Sequence, residues 1–292
     1  MENWDEVRTA FHVARMGTVS GAAEALGVHH ATVIRHIDAL EAQLGVKLFQ
    51  RHPRGYNATE AGLDLLQVAQ ATDDQFAQLA GRIKGQGESV SGELVVTSLG
   101  AFASLITPVL ADLQKKHAGL TIKYLNSERL FRLEYGEAHV AVRTGPVPEQ
   151  PDNVVQPLMQ MQSHLVASQS YIERHGMPKD TDDLVNHYFV GVDPTVSRAP
   201  FNSWLEKIVP SERITFRTDD TNAMFEAVMH GAGIGLVATT WLKKMPGLTE
   251  IIPPKLEWCI PSWLVTHVDL HRTTKVQAVL AALKAAAVDW QA

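Results

Sequence analysis

Histidines, lysine and arginines are concentrated between Gly27 and Arg54. Side chains of these types can bind metals, transfer protons or donate hydrogen bonds. Four cations outnumber two acids there, with four histidines among them: Arg35, Lys47, Arg51 and Arg54 against Asp38 and Glu41, with His29, His30, His36 and His52. The positive potential is local, because the whole chain has a formal net charge of −6. For nucleic-acid binding the placement of charge matters more than its sum.

The spacing of these histidines argues against a metal site or a catalytic centre. Two ligands on one helix face would stand three or four residues apart, whereas His36 follows His29 and His30 by seven and six. No recognisable motif places a hydroxyl or thiol nucleophile beside a base. Two interpretations remain, which are solvated surface histidines and histidines that contact DNA. We predict no metal, no cofactor and no catalytic residue, so we do not expect an enzyme.

Two short helices are predicted ahead of these residues. The first is amphipathic, with apolar residues at helical spacing: Trp4, Val7, Phe11 and Ala14. It ends near Gly17. A second helix follows, with Ser20 as its predicted N-cap and Gly27 as its C-cap.

A third helix is predicted to present hydrogen-bond donors. Its apolar stripe consists of Val33, Ile37, Leu40 and Leu44. An exposed arc beside the stripe contains Thr32, Arg35, His36 and Ala39, with His29 at its edge. Two helices joined by about three residues are typical of a helix-turn-helix whose second helix enters the major groove of DNA. This context favours the DNA interpretation of the histidines.

Two extended runs flank Pro53, Arg54 and Gly55, which predicts a hairpin over residues 47–59. Such a hairpin would hold the phosphate backbone through Arg51 and Arg54 while the helix reads bases through His30, Thr32 and Arg35. The candidate DNA-binding residues are Ser20, His29, His30, Ala31, Thr32, Arg35, His36, Arg51 and Arg54.

This region resembles the winged helix of LysR-type transcriptional regulators over residues 22–62, AAEALGVHHATVIRHIDALEAQLGVKLFQRHPRGYNATEAG. The resemblance is carried by the paired alanines, Leu40–Glu41, Leu44–Gly45, Leu48–Phe49, Arg51 and the segment Thr59–Gly62. Departures lie in the third helix, where His29 and His30 stand in place of a hydroxyl residue and a glutamine, and Ile34 in place of a serine. The resemblance implies a DNA-binding domain over residues 1–58.

A long helix is predicted over residues 59–84, with Thr59 as its cap. Its stripe consists of Leu65, Val68, Thr72, Phe76, Leu79 and Ile83. A stripe this narrow needs a partner helix, supplied by a second copy of the chain or by its own domain. The resemblance implies an antiparallel linker-helix dimer that reads a two-fold site. A hinge is predicted over residues 85–91, where glycine and serine are frequent.

From residue 92 strands alternate with helices, which predicts an α/β domain with parallel strands and two lobes. Predicted strands are LVVTS, TIKYL, HVAVR, SHLVAS, HYFVGV, RITFR, GIGLVA and SWLVTHV, and predicted helices cover residues 103–117, a segment through Leu133, 222–231 and 273–287. Lobe I is predicted at about 92–161 and 268–292, and lobe II at about 162–267. The domain resembles the LysR-type effector domain, akin to periplasmic solute-binding proteins, in GEAHVAVR and GAGIGLV. His139 stands where the family usually has aspartate.

The effector site is predicted between the two lobes, at the carboxyl ends of the lobe strands, where open α/β sheets place ligands. Hydroxyls and helix-start amides in TSLGAFAS suit an anionic group, and Arg143 would supply charge. Candidate effector-binding residues are Ser98, Leu99, Gly100, Ser104, Asn126, Ser127, Arg143, Thr221 and Asn222. For each of them, ordinary capping or solvation is the alternative. GAGIG does not match a dinucleotide fingerprint, because it precedes a strand and its third glycine comes one residue early.

The sequence as a whole predicts an α/β multidomain protein: an N-terminal winged helix-turn-helix, a long linker helix and a two-lobed, periplasmic-binding-protein-like effector domain. The expected function is transcription regulation under a small-molecule effector. Expected partners are double-stranded operator DNA, an anionic effector, further copies of the chain as dimer and tetramer, and RNA polymerase, without a membrane. With Glu2 and Asp5 at its start the chain does not resemble a secretory signal, so we expect a cytoplasmic protein. The alternatives are an enzyme or a solute-binding transport component, and neither accounts for residues 1–60.

Overall fold

The computed structural model describes residues 3–52, 55–83, 90–127, 129–192, 200–242 and 247–291. The N-terminal head contains α1 (Trp4–Met16), α2 (Val19–Leu26) and α3 (His30–Leu44), followed by the antiparallel wing strands β1 (Phe49–His52) and β2 (Gly55–Ala58). Val7, Phe11, Val33, Ile37 and Leu40 are buried together in its core. The predicted winged helix-turn-helix is confirmed.

Three predicted details of the head are wrong. Ser20 lies inside α2, and the N-cap is Thr18, whose hydroxyl accepts a hydrogen bond from the backbone N–H of Gly21. Trp4 is 61% exposed and Leu44 is 37% exposed. Each is a terminal residue of its helix and extends past the head core.

Helix α4 (Glu60–Ile83) confirms the long linker helix, and its predicted cap is present, since Thr59 Oγ1 accepts from Gly62 N–H. Gly62 is required by close packing, because a Cβ there would lie 2.1 Å from the carbonyl oxygen of Leu48. The linker helix also contacts the C-terminal domain of its own chain, where Gln67 Nε2 lies 3.1 Å from His267 Nε2. The predicted hinge lies almost entirely outside the described residues.

Lobe I begins with β3 (Gly92–Ser98), α5 (Ala103–Lys116), β4 (Leu120–Asn126), β5 (Val140–Thr144) and the first half of β6 (Asn153–Ser168). Strand β3 pairs in parallel with β4 and β5, as the alternation of strands and helices predicts. The predicted helix through Leu133 is wrong, since the described residues there hold only a single 3-10 turn, Leu133–Tyr135. The carboxylate of Glu137 accepts hydrogen bonds from the Arg129 guanidinium and from Arg132 N–H, which hold this segment in an irregular path.

Lobe II contains α6 (Gln169–His175), β7 (Phe189–Val192), α7 (Pro200–Ile208), β8 (Ile214–Thr218), α8 (Thr221–Met229), β9 (Gly235–Ala238), α9 (Thr239–Leu242) and β10 (Leu248–Ile252). The chain then returns through β11 (Cys259–His267), α10 (Val268–His271) and α11 (Thr274–Gln291). Strands β6 and β11 run antiparallel to each other, and the sheet order is β10-β6-β11-β5-β3-β4, with β9 also on β6. Because β11 pairs with β5 from Ser262 onward, the return to lobe I starts before the predicted residue 268.

Each lobe has its own buried core. Lobe I buries α5 and α11 against β3 and β5, and lobe II buries Tyr171, Phe189, Trp204 and Trp258. None of the described helices is long and apolar enough to cross a membrane.

Candidate DNA interface and effector cavity

The third helix presents mostly polar side chains beside its buried stripe. His29, His30, Ala31 and Arg35 are exposed, and Thr32 and His36 are half-buried. His29 occupies the N-cap position at the start of α3 but makes no side-chain capping bond, so its imidazole is not used to cap the helix. We call these six residues the recognition strip. Their exposure leaves them accessible to another molecule.

His36 is oriented by the first helix. The hydroxyl of Thr9 donates to the carbonyl oxygen of Asp5 at 2.6 Å and lies 2.9 Å from His36 Nδ1. Since a hydroxyl has one proton, Thr9 accepts from His36, and this assigns the proton of the neutral imidazole to Nδ1. Nε2 of the neutral ring is then an acceptor, and it becomes a donor when the ring is protonated.

Glu41 joins the recognition helix to the wing. Its carboxylate is 1% exposed and accepts hydrogen bonds from Lys47 Nζ at 2.7 Å and from the backbone N–H groups of Leu48 and Phe49. Burial raises the pKa of Glu41, but the hydrogen bonds from Lys47, Leu48 and Phe49 outweigh it, and the pKa lies below its ordinary value. Sequence reasoning missed this residue; its only signal was the Leu40–Glu41 pair in the family resemblance.

Arg51, a predicted phosphate ligand, already has carboxylate partners. Its guanidinium lies 2.6 Å from Asp38 Oδ1 and 3.0 Å from Glu41 Oε2, and it also lies over the ring of Tyr56. The hydrogen bond to Asp38 raises the pKa of Arg51. A phosphate contact from Arg51 stays a prediction, Arg54 lies outside the described residues, and Ser20 is exposed on α2.

A cavity of about 230 Å³ lies at the carboxyl ends of β3 and β5 in lobe I. It is lined by Thr97, Ser98, Leu99, Ser127, Arg129, Leu130, Phe131, Ala141, Val142, Arg143, Thr144, Pro146, Pro148 and Gln150. Four predicted effector residues are brought together there: Ser98, Leu99, Ser127 and Arg143. The other five do not line this cavity: Gly100, Ser104, Asn126, Thr221 and Asn222.

The residues that line this cavity all belong to lobe I, and an effector site between the lobes stays a prediction. The 3-10 turn that starts at Gly100 contacts α8, and Trp241 Nε1 donates to the carbonyl oxygen of Ala101 at 3.4 Å. The two lobes therefore contact each other next to Leu99, which lines the cavity. Thr221 and Asn222 lie in the first turn of α8 and do not cap it, because Asp220 caps α8 by accepting from Ala223 N–H.

The hydroxyl of Ser98 is not free to donate to a ligand. It donates to the carbonyl oxygen of Leu99 at 2.9 Å, so the Tyr124 hydroxyl, 2.7 Å away, donates to it. Burial raises the pKa of Tyr124, although its bond to Ser98 opposes the shift. Among the predicted effector residues that line the cavity, Arg143 is the cationic donor.

Arg143 is half-buried and is held by neutral oxygens. Its Nη2 donates to the carbonyl oxygen of Phe131 at 3.1 Å and its Nη1 to Gln150 Oε1 at 3.3 Å. Burial lowers the pKa of Arg143, and the charge of Glu134 partly opposes this. Within the described chain, no carboxylate oxygen lies within ion-pair distance of this guanidinium, which leaves its charge for an anion.

His139 is buried immediately before β5, the strand that carries Arg143. Its Nδ1 accepts from the backbone N–H of Val95 at 2.9 Å. Burial, together with the nearby charges of Lys275 and Arg15, lowers the pKa of His139 to about 3. The imidazole that replaces the family's aspartate is thus neutral at physiological pH.

The glycine-rich segment GAGIG packs against β7 and α8. A Cβ on Gly233 would lie 2.9 Å from the backbone of Phe189, and one on Gly235 would lie 2.4 Å from Val228 Cγ2. Gly233 therefore allows two backbones to approach, and Gly235 leaves room for the Val228 side chain.

Comparison with known proteins agrees with both parts of this architecture. Residues 4–63 match the bacterial regulatory helix-turn-helix of the lysR family, and residues 87–288 match the LysR substrate-binding domain. The chain belongs to the family of LysR-type transcriptional regulators. Regulators of this family bind DNA and small-molecule effectors and form oligomers; they are not enzymes.

Similar LysR-type proteins include an uncharacterized regulator, YhjC of Escherichia coli, which is 30% identical over 190 residues, covering 64% of this chain and 63% of the relative. The activator IlvY of Salmonella typhimurium is 27% identical over 248 residues, covering 82% and 84%. The solved structure of full-length LysG from Corynebacterium glutamicum with bound effector Arg has a TM-score of 0.68 at 19% identity, covering 98% of each chain. At this identity the LysG structure shows the fold alone.

Proposed function

We propose that this regulator binds operator DNA through the recognition strip of α3 and the wing, and that an anionic effector in the lobe I cavity controls it. The observation that carries the DNA role is the exposure of Arg35 on α3, above the buried Val33 and Ile37. A helix-turn-helix places such a residue in the major groove, where an arginine donates to the guanine edge.

Base reading is assigned to His30, Thr32 and Arg35, with His29, Ala31 and His36 beside them. Phosphate contacts are assigned to Arg51 and Arg54, with Ser20 at the edge of the interface. Arg51 serves two roles in this proposal, because it must exchange Asp38 for a phosphate oxygen when DNA arrives.

A second copy of the chain covers the linker helix. Val68, Phe76 and Leu79 are 58%, 55% and 42% exposed, and Trp4 lies edge-on to Phe76 with ring centroids 5.9 Å apart. These exposed apolar side chains on one helix support an antiparallel dimer in which a partner helix covers them. Two dimers assemble into a tetramer in this proposal.

The effector acts by binding one arrangement of the assembly better than another, which shifts the population of DNA-bound states. Operator bending or recruitment of RNA polymerase follows from that shift. The site of action is the cytoplasm, where operator DNA lies.

The test is a gel shift with the DNA upstream of the protein's own gene, at several salt concentrations. Arg35→Ala should weaken specific binding by about 1–3 kcal/mol and relax the choice of sequence. Arg132→Ala, an exposed arginine on lobe I, is the matched control and should bind as the parent does. Equal sequence preference in Arg35→Ala and the parent would overturn the assignment of α3 as the reading helix.

A further inference from the structure

The residues that line the lobe I cavity indicate which class of ligand it binds. We propose that it takes a monocarboxylate with an apolar body and no amino group, which rests on the proposed function and names the effector class. Three features of the cavity support this proposal: the charged residues that line it, the ion pairs that those residues already make, and the apolar residues of its wall.

Arg143 is the unpaired cation of this lining. Two of its five N–H donors have acceptors in the described chain, and both acceptors are neutral, Phe131 O and Gln150 Oε1. A planar guanidinium matches the two oxygens of a carboxylate in a fork of parallel hydrogen bonds. The half-buried setting of Arg143 strengthens such a pair relative to one in open solvent.

Arg129, the second arginine of the lining, is already neutralised. Its Nη1 lies 3.1 and 3.0 Å from the two carboxylate oxygens of Glu137, and its guanidinium lies 4.3 Å from the centre of the Phe131 ring. Arg129 therefore positions Phe131 and leaves the cavity with one cationic site. A single cationic site suits a monoanion better than a dicarboxylate, whose second charge would be left without a partner.

Among the described residues, the lining contains no aspartate or glutamate. The ammonium group of an α-amino acid would lose water on entry without gaining a carboxylate partner, which is costly. The apolar part of the wall is supplied by Leu99, Leu130, Phe131, Val142 and two prolines, and hydroxyl and amide side chains supply the uncharged polar part. At about 230 Å³ the cavity is below the roughly 300–1,000 Å³ of sites for drug-sized ligands, so the apolar body is small.

Matched probes separate these requirements. 4-Methylpentanoate and leucine differ only by the amino group, as do 3-phenylpropanoate and phenylalanine, and 4-methylpentanol lacks the charge. Calorimetric titration of the full chain should give at least about tenfold weaker binding of leucine and of the alcohol than of 4-methylpentanoate. The phenyl pair tests whether the preference holds for an aromatic body.

Variants place the binding at Arg143. Arg143→Gln should weaken 4-methylpentanoate binding at least about tenfold and leave binding of the alcohol unchanged. Arg132→Gln, an exposed arginine outside the lining, is the matched control and should bind the acid as the parent does. Arg143→Lys keeps the charge but loses the fork, so it serves if the glutamine variant does not fold, and it should bind the acid more weakly than the parent.

Leucine binding as tight as 4-methylpentanoate, no acid binding by the parent, or unchanged acid binding by the Arg143 variants would each overturn the inference. Operator binding without effector is measured on the same samples. Operator binding that persists where the acids fail to bind overturns the inference and leaves the DNA-binding role standing. Acid binding with no operator binding supports the inference and overturns the DNA-binding role.

Discussion

Arg51 in the wing and Arg143 in lobe I are arginines on short strands, yet the fold treats them oppositely. Arg51 lies within 3.0 Å of two carboxylates, those of Asp38 and Glu41. Arg143 is held by a carbonyl oxygen and an amide oxygen. The hydrogen bond to Asp38 raises the pKa of Arg51, whereas burial lowers the pKa of Arg143. A paired arginine stabilises its domain, whereas one held by neutral groups keeps its charge for a ligand.

The same contrast separates the buried ionisable groups of the two regions. In the head, Glu41 stays charged because donors surround it, and its pKa is lowered against the effect of burial. In lobe I, His139 stays neutral because burial and two nearby cations disfavour its charged form. The head therefore contains a buried carboxylate that is charged, whereas the buried His139 of lobe I is neutral.

The largest expected effect is the loss of the Glu41 carboxylate. Glu41→Ala removes the acceptor for Leu48 and Phe49 N–H and for two cations, and it should destabilise the head by about 3 kcal/mol. Hydrogen exchange of residues 45–52 in the full chain measures this. Asp38→Ala, which removes an exposed partner of Arg51, is the control and should cost less than about 1 kcal/mol. Similar loss of protection in both variants would show that Glu41 has no special role.

His139 should make lobe I sensitive to acid. The folded pKa of about 3 lies below the unfolded value of about 6.5, so the unfolded state binds the extra proton as pH falls. The stability contribution is complete above pH 6.5 and is lost between pH 6.5 and 3, reaching a loss of about 2 kcal/mol at pH 5. Thermal unfolding at pH 7.5 and pH 5 measures it, and His139→Asn should show a smaller drop than the parent. An equal drop in both proteins would rule out His139 as the source.

A direct test of the arginine comparison is the pair Arg51→Gln and Arg143→Gln. The first should lower the free energy of unfolding by up to about 1 kcal/mol, since its pairs are partly exposed. The second should change stability less, because Arg143 has no carboxylate partner in the described structure. Urea unfolding of both variants, followed by far-ultraviolet circular dichroism, decides between them. A larger loss for Arg143→Gln would reverse the comparison.

The smallest expected effect is on the salt dependence of DNA binding. Asp38→Asn removes a carboxylate that competes with phosphate for Arg51, so the slope of log affinity against log salt should steepen by up to about 1. Fluorescence anisotropy with duplex DNA at several salt concentrations measures the slope. An unchanged slope would indicate that Arg51 remains with Glu41 when DNA is bound.

Local patterns were sufficient wherever neighbours in sequence decide the structure. Helix α3 follows from the spacing of Val33, Ile37 and Leu40, and the end of α2 at Gly27 follows from its left-handed backbone. The predicted helix through Leu133 failed because hydrogen bonds to Glu137 outweigh local helix propensity. Ser20 was misplaced as a cap because Thr18 and Ser20 both carry suitable oxygens, and composition does not choose between them.

The sequence by itself determined the order of domains, the family and the set of polar residues on the third helix, because periodicity and spacing are local properties of a chain. Tertiary structure alone decided that Arg51 is paired and Arg143 is not, that Glu41 is buried and charged, and that the cavity lies within lobe I. Charge pairing depends on distances between residues far apart in sequence, as between Arg143 and Phe131 or Arg51 and Asp38. Those distances are set when the cores pack, and no local pattern of residues encodes them.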